Sequence, residues 1–274
     1  MAISGAAMSP NWGYHSSPVT SFLMMLFNIR LGWWFGNPKK RTWNKRGPTS
    51  SIRLFIQEAL GDTSDEQPYV YLSDGGHFEN LGLYEMIRRR CRTIVVSDAG
   101  ADPEGTLEDL GNAVRKIAID FGVRIEFEKI ELQKRGDPQI PGVYCAIGSI
   151  FYPECRDAPG TIIYIKPGYY GHEPADVRAY AAKNASFPHE MTMYQWFTES
   201  QFESYRSLGS YVIATICGDY GSDGRRRPPD RSLTLDKFID LARDYLHRFS
   251  KPAPAPPAWV VYPPFRQRIR RSRP

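Results

Sequence analysis

The sequence predicts an α/β fold: a three-layer α/β/α sandwich with a mostly parallel central sheet. Two observations carry this reading. Short β-branched and aromatic runs alternate along the chain with stretches of helical period. One of those runs, Thr93-Ile94-Val95-Val96, is nearly all apolar, the pattern of a parallel strand covered on both faces. With 274 residues and 42% hydrophobic composition the chain is long enough for a substantial core.

Taken in order, residues 18–36 form the most apolar stretch. Asn28 and Arg30 interrupt it, so it is too broken for a membrane span of about 20 apolar residues. Two readings stay open. It is a helix packed in the core, or a lipid-facing helix with Trp33, Trp34 and Trp43 at headgroup level and Arg30, Lys39, Lys40 and Arg41 on phosphates. Residues 48–59 suggest a second helix. Tyr69–Leu72 reads as a strand, and residues 80–90 as a helix capped by Asn80, with apolar Leu83, Met86 and Ile87 three to four apart and Arg88, Arg89 and Arg90 in its last turn. The right-handed crossover rule lays that helix over a sheet in which Tyr71 and Leu72 are buried beside the strand of residues 93–97. Residues 107–121 keep a helical period and Gly122 ends them. Residues 124–128 alternate, as a strand with one solvated face does. Residues 142–152 and 161–166 read as two strands of a hairpin. Helices follow at 176–185, 195–208 and 235–249, the last with Phe238, Leu241, Ala242, Tyr245 and Leu246 inward.

The chemistry-bearing stretch is residues 69–103, YVYLSDGGHFENLGLYEMIRRRCRTIVVSDAGADP. It puts Asp74 just after a strand, where open α/β sheets place ligands, and follows it with Gly75 and Gly76, which permit a sharp turn with positive φ. A carboxylate so placed can deprotonate a nucleophile. The competing reading is a plain turn, because Asp-Gly is a common turn dipeptide. His77, three residues on, is either a general acid or a structural neighbour. Asp98 and Asp102 follow the apolar strand without the glycine-spaced acidic loop of a calcium site. No His/Cys set has zinc spacing, so no metal is expected. The four cysteines form no C-x-x-C pair and read as reduced, buried thiols.

The stretch LSDGGHFENLGLYEMIRRRCRTIVVSDAGADP resembles the C-terminal half of the patatin-like acyl hydrolases, closest to a bacterial branch, with the cytosolic phospholipases more distant. AISGAAMSP at residues 2–10, FPHE at 187–190 and QFESYRSLG at 201–209 resemble other blocks of the family, and the likeness covers roughly residues 1–217. The resemblance implies a patatin-like fold and a Ser-Asp dyad. In it a serine attacks an acyl ester, Asp74 is the general base, and Gly75 and Gly76 shape the turn that presents it. It implies no cofactor. His77 becomes a residue behind the dyad. The implied substrate is a phospholipid or other acyl-ester lipid, and the implied location is cytoplasmic and peripheral at the membrane surface.

The family's nucleophile lies in a G-x-S-x-G elbow, and no serine here has that frame; Ser4 lies between Ala2 and Ala6, Ser222 between Tyr220 and Gly224. The resemblance therefore implies that residues 1–250 are the C-terminal portion of an acyl hydrolase domain, lacking the N-terminal part of the fold. This chain alone is then expected to be inactive. A non-catalytic lipid- or protein-binding remnant is the alternative. Residues 251–274 are rich in proline and arginine and read as a disordered tail. The net charge of +5 comes largely from Arg266, Arg268, Arg270, Arg271 and Arg273. The body is about neutral, so no nucleic-acid partner is expected.

Overall fold

The computed structural model describes residues 32–50, 52–59, 64–130, 143–155, 157–191, 196–219 and 232–249, with isolated positions Val19, Leu23 and Met24. The expectations for the segment at residues 2–10 and for the tail lie outside these residues.

A four-stranded sheet forms the centre. Its strands are β3 (Thr93–Ser97), β4 (Arg124–Phe127), β5 (Cys145–Phe151) and β6 (Gly160–Ile165), in the order β3-β6-β5-β4. Helices cover both faces. On one side, α2 (Leu83–Arg88) and α3 (Glu108–Phe121) bury Leu83, Ile87, Leu110 and Ile117 against Ile94, Val96, Ile125, Ile150, Ile162 and Tyr164. On the other, α4 (Ala175–Lys183), α5 (Glu199–Ile216) and α6 (Leu235–Phe249) bury Val177, Leu208, Val212, Ile239 and Tyr245 against Cys145, Ile147, Ile163 and Ile165. The period of two along each strand divides these sets. Each fully buried Ile or Leu contributes about 1.5–3 kcal/mol. The α/β sandwich is therefore present.

The sheet is mixed rather than mostly parallel. β3 pairs parallel with β6, but β5 runs antiparallel to both β6 and β4. The short link between β5 and β6 permits only an antiparallel return, because a parallel one needs a crossover of about a dozen residues.

Four other expectations are corrected. β2 (Tyr69–Leu72) does not lie beside β3. It pairs antiparallel with β1 (Trp33–Gly36) in a separate two-stranded sheet. Asn37 brings these strands together: its amide donates to the carbonyls of Asp65 and Gln67, both at 2.7 Å, and its backbone N–H reaches the Pro68 carbonyl. Residues 33–36 are thus a strand and not the end of a helix; α1 (Ile52–Ala59) follows. β3 is covered on one face only, with Val95 42% exposed on the other. Asn80 does not cap α2. Gly82 takes that position in the left-handed region, and Arg90, with φ 58°, lies beyond the helix end.

Gly122, at φ 63°, ends α3 as expected. Among the described residues no helix is long and apolar enough to cross a membrane.

Candidate active site

Asp74 stands two residues beyond β2, with extended backbone angles. Its Oδ1 accepts the Gly76 N–H at 3.0 Å, which closes a single 3-10 turn over Gly75–His77. The other carboxylate oxygen accepts no hydrogen bond among the described residues, and the side chain is half-buried. One oxygen is therefore fixed.

Neither Gly75 nor Gly76 has positive φ, contrary to the expectation from the sequence. Space is what matters at Gly76. A Cβ there would meet Asn80 Oδ1 at 2.5 Å, whereas at Gly75 it would meet nothing within 4 Å.

The His77 backbone N–H donates to the Asp74 carbonyl at 3.3 Å. Its Nδ1 faces Ser73 Oγ at 3.0 Å, so the residues on either side of the DGG turn are tied together. α3 holds the outer side of the turn. Asp109 Oδ1 accepts the Asn80 amide at 2.9 Å, Lys116 donates to the Phe78 carbonyl and lies 4.3 Å from the Phe78 ring centroid, and Asp120 accepts the Tyr84 hydroxyl at 2.8 Å.

A second group of ionisable residues occupies the carboxyl ends of the parallel pair β3 and β6. Ser97 pairs with Ile165, so the next residues, Asp98 and Lys166, adjoin. Both are buried, with side chains 2% and 7% exposed, and their ion pair measures 2.9 Å. Asp98 also accepts the Tyr164 hydroxyl and the Gly100 N–H, the latter at 2.8 Å, and Lys166 also donates to the Gly100 carbonyl. Burial first, and then the bond to Asp98, pushes the Tyr164 hydroxyl well above the ordinary range.

Asp102 is held within its own loop. Its carboxylate accepts the N–H groups of Thr106 and Leu107, both at 2.8 Å, and the Thr106 hydroxyl. Burial pushes that carboxyl up, but these donors outweigh it and hold it below the usual range. The Asp102 N–H donates to His189 Nδ1 at 3.2 Å. Burial and the neighbouring Lys166 lower the His189 pKa, so the ring is held neutral as an acceptor. Asp98, Asp102, Thr106, Glu108, Asp109 and Lys166 line a polar cavity of about 260 Å³. Among the described residues no three His, Cys, Asp or Glu side chains converge as metal ligands.

Sequence reasoning missed Lys166 and Tyr164, and missed Asn80 as a brace. A signal for the first was present: two apolar runs end in residues of opposite charge, Asp98 and Lys166. Comparison with protein-family models, curated proteins and solved structures returned no match.

Proposed function

We propose that this chain carries the general-base half of an acyl-ester hydrolase site of the patatin-like type, with Asp74 as the base and a phospholipid or other acyl-ester lipid as the substrate. The observation that carries the reading is the Asp74 carboxylate itself. Gly76 orients one oxygen, and the other has no hydrogen-bond partner among the described residues. A base needs an unoccupied lone pair within about 2.6–3.2 Å of the hydroxyl it deprotonates. Asp98 is less suited, because it is buried and already bonded by Tyr164, Lys166 and Gly100.

The nucleophilic serine comes from the resemblance and is proposed to lie upstream. It attacks the ester carbonyl and passes its proton to Asp74. The leaving alkoxide takes that proton from Asp74 and departs as the alcohol. Water then gives a proton to Asp74 as it attacks the acyl-serine ester, and the serine leaves with that proton as the acid is released. No cofactor enters these steps. Gly76 leaves room for Asn80 beside the turn that presents the carboxylate. His77 supports the turn through Ser73. The chain works at the cytoplasmic face of a membrane, as a peripheral protein.

A fluorophosphonate, which labels activated serines, tests this. The 274-residue chain is expected to remain unlabelled and to hydrolyse neither phospholipids nor short acyl esters. Extended upstream to include a G-x-S-x-G segment, it is expected to label and to turn over. Labelling of the short chain at Ser73 would move the nucleophile onto the Ser73–His77 pair and overturn the dyad.

A second reading, a non-catalytic lipid-binding remnant of the same fold, is favoured by the apolar outer face of the small sheet.

A further inference from the structure

The small sheet has two unlike faces. Trp34, opposite Tyr71 in the register, is buried, and the two rings lie 5.3 Å apart. The other face carries Trp33 and Phe35 from β1 with Val70 and Leu72 from β2, because side chains alternate along each strand. Trp33 stands directly opposite Leu72. They are 55% and 45% exposed, and Phe35 and Val70 are partly exposed. A solvent-facing sheet normally carries polar residues on this side. Four apolar side chains there form a patch of the kind that marks an interaction site.

The loop that leaves β1 adds charge. It carries Lys39, Lys40, Arg41, Lys45 and Arg46. Lys39 pairs with Asp65 and Lys40 with Glu66 on the segment leading to β2. Arg41, Lys45 and Arg46 are exposed and form no ion pair among the described residues. Trp43, 69% exposed, stands among them. The Trp33 indole N–H donates to the Arg46 carbonyl at 3.1 Å, so the cationic end of the loop is fastened beside the apolar face.

We propose that this two-stranded sheet and its loop dock the chain on an anionic lipid surface. The occupant follows from the chemistry of the patch. Aliphatic Leu72 and Val70 offer nothing to a nucleic-acid base, which stacks on flat π-faces, but they suit the acyl boundary. Indoles suit the headgroup layer. Three unpaired cations complement anionic headgroups, each worth about 1 kcal/mol near such a surface, or about five-fold in partition. Asp65 and Glu66 pair with Lys39 and Lys40 and so limit the unpaired cations to one edge. The inference does not depend on Asp74 acting as a base.

Tryptophan quenching by brominated lipids tests it on the full chain. Vesicles contain either phosphatidylcholine alone or phosphatidylcholine with phosphatidylserine. Quenching is expected only with phosphatidylserine, and is expected to weaken as salt rises. Trp33→Phe with Trp43→Phe is expected to remove most of the quenching while leaving sedimentation with vesicles nearly intact. Arg41→Gln with Lys45→Gln and Arg46→Gln is expected to raise the lipid concentration for half-maximal quenching about 100-fold. Circular dichroism checks that both variants fold. Three results would overturn the proposal: undiminished quenching in the double Phe variant, equal binding to both vesicles, or oligonucleotide binding that the triple variant loses while vesicle binding persists.

Discussion

Asp74 and Asp98 both follow a strand, yet their surroundings differ in kind. Asp74 follows a strand of the two-stranded sheet with one apolar face in solvent, and one carboxylate oxygen has no hydrogen-bond partner among the described residues. Asp98 ends a strand of the central sheet, is buried, and is bonded by Tyr164, Lys166 and Gly100. A buried carboxylate requires partners because desolvation is so costly, and those partners occupy the lone pairs that a base would use. The difference teaches that a burial-demanded network and a reactive carboxylate are competing uses of the same side chain. In this chain Asp98 shows the first use, and the proposed base Asp74 would be the second.

The comparison breaks first at Lys166. Lys166→Met leaves the Asp98 carboxylate buried without its counter-charge and is expected to cost about 3–5 kcal/mol in denaturant unfolding. Asp98→Leu in the same chain should recover much of that loss. A Lys166→Met protein as stable as the wild type would show that Asp98 is not held as described.

Next come the two glycines of the turn. Gly76→Ala sets a methyl 2.5 Å from Asn80 Oδ1, which forces Asn80 off its bond to Asp109 and is expected to cost about 1 kcal/mol. Gly75→Ala meets open space and should change stability by less than about 0.5 kcal/mol. Equal effects at both positions would contradict the crowding argument. Asn80→Ala removes the brace to Asp109 and is expected to cost about 1 kcal/mol, read from the same unfolding curves.

The pH response sharpens the contrast. The His189 pKa is lowered in the folded protein, by burial first and Lys166 second, with Asp102 and Asp98 opposing. The unfolded chain takes up a proton near an ordinary value of about 6.5. Between the folded and unfolded values the unfolded state binds more protons, so stability rises with pH. Acidification from about pH 7 through that window is therefore expected to lower the melting temperature. His189→Gln should flatten this slope. The Asp102 contribution is lost only further down, as pH falls from the ordinary carboxylate value through its lowered folded value. The smallest effect is expected at Asp74. Asp74→Asn keeps the acceptor for the Gly76 N–H and should leave stability within about 0.5 kcal/mol.

Much of the central sandwich was legible in the sequence. The period of residues 107–121, stopped by Gly122, marks α3, and the runs at 142–152 and 161–166 mark β5 and β6. Pattern reports which residues are apolar, but not which strand they pair with. Tyr69–Leu72 is too short to name its neighbour, so its pairing with β1 and its distance from β3 were hidden. β1 was hidden inside an apolar run that also suits a helix. α5 runs past Gly209 to Ile216 because Val212, Ala214 and Ile216 beyond it are buried, and that burial outweighs the cost of one glycine. In α6 the inward side includes Ile239, which the period alone did not single out. At the site, Asp74 and its glycines were legible because short motifs carry turn chemistry. The Asp98–Lys166 pair joins residues 68 apart, and only the register of β3 on β6 brings them together.

The most direct test is the rate of acyl-ester hydrolysis by the chain extended upstream through a G-x-S-x-G segment, compared with its Asp74→Asn variant. An amide cannot accept the serine proton, so kcat/KM should fall by about 10²–10⁴-fold while the melting temperature stays unchanged. An Asp74→Asn enzyme with full activity would contradict the assignment of Asp74 as the base.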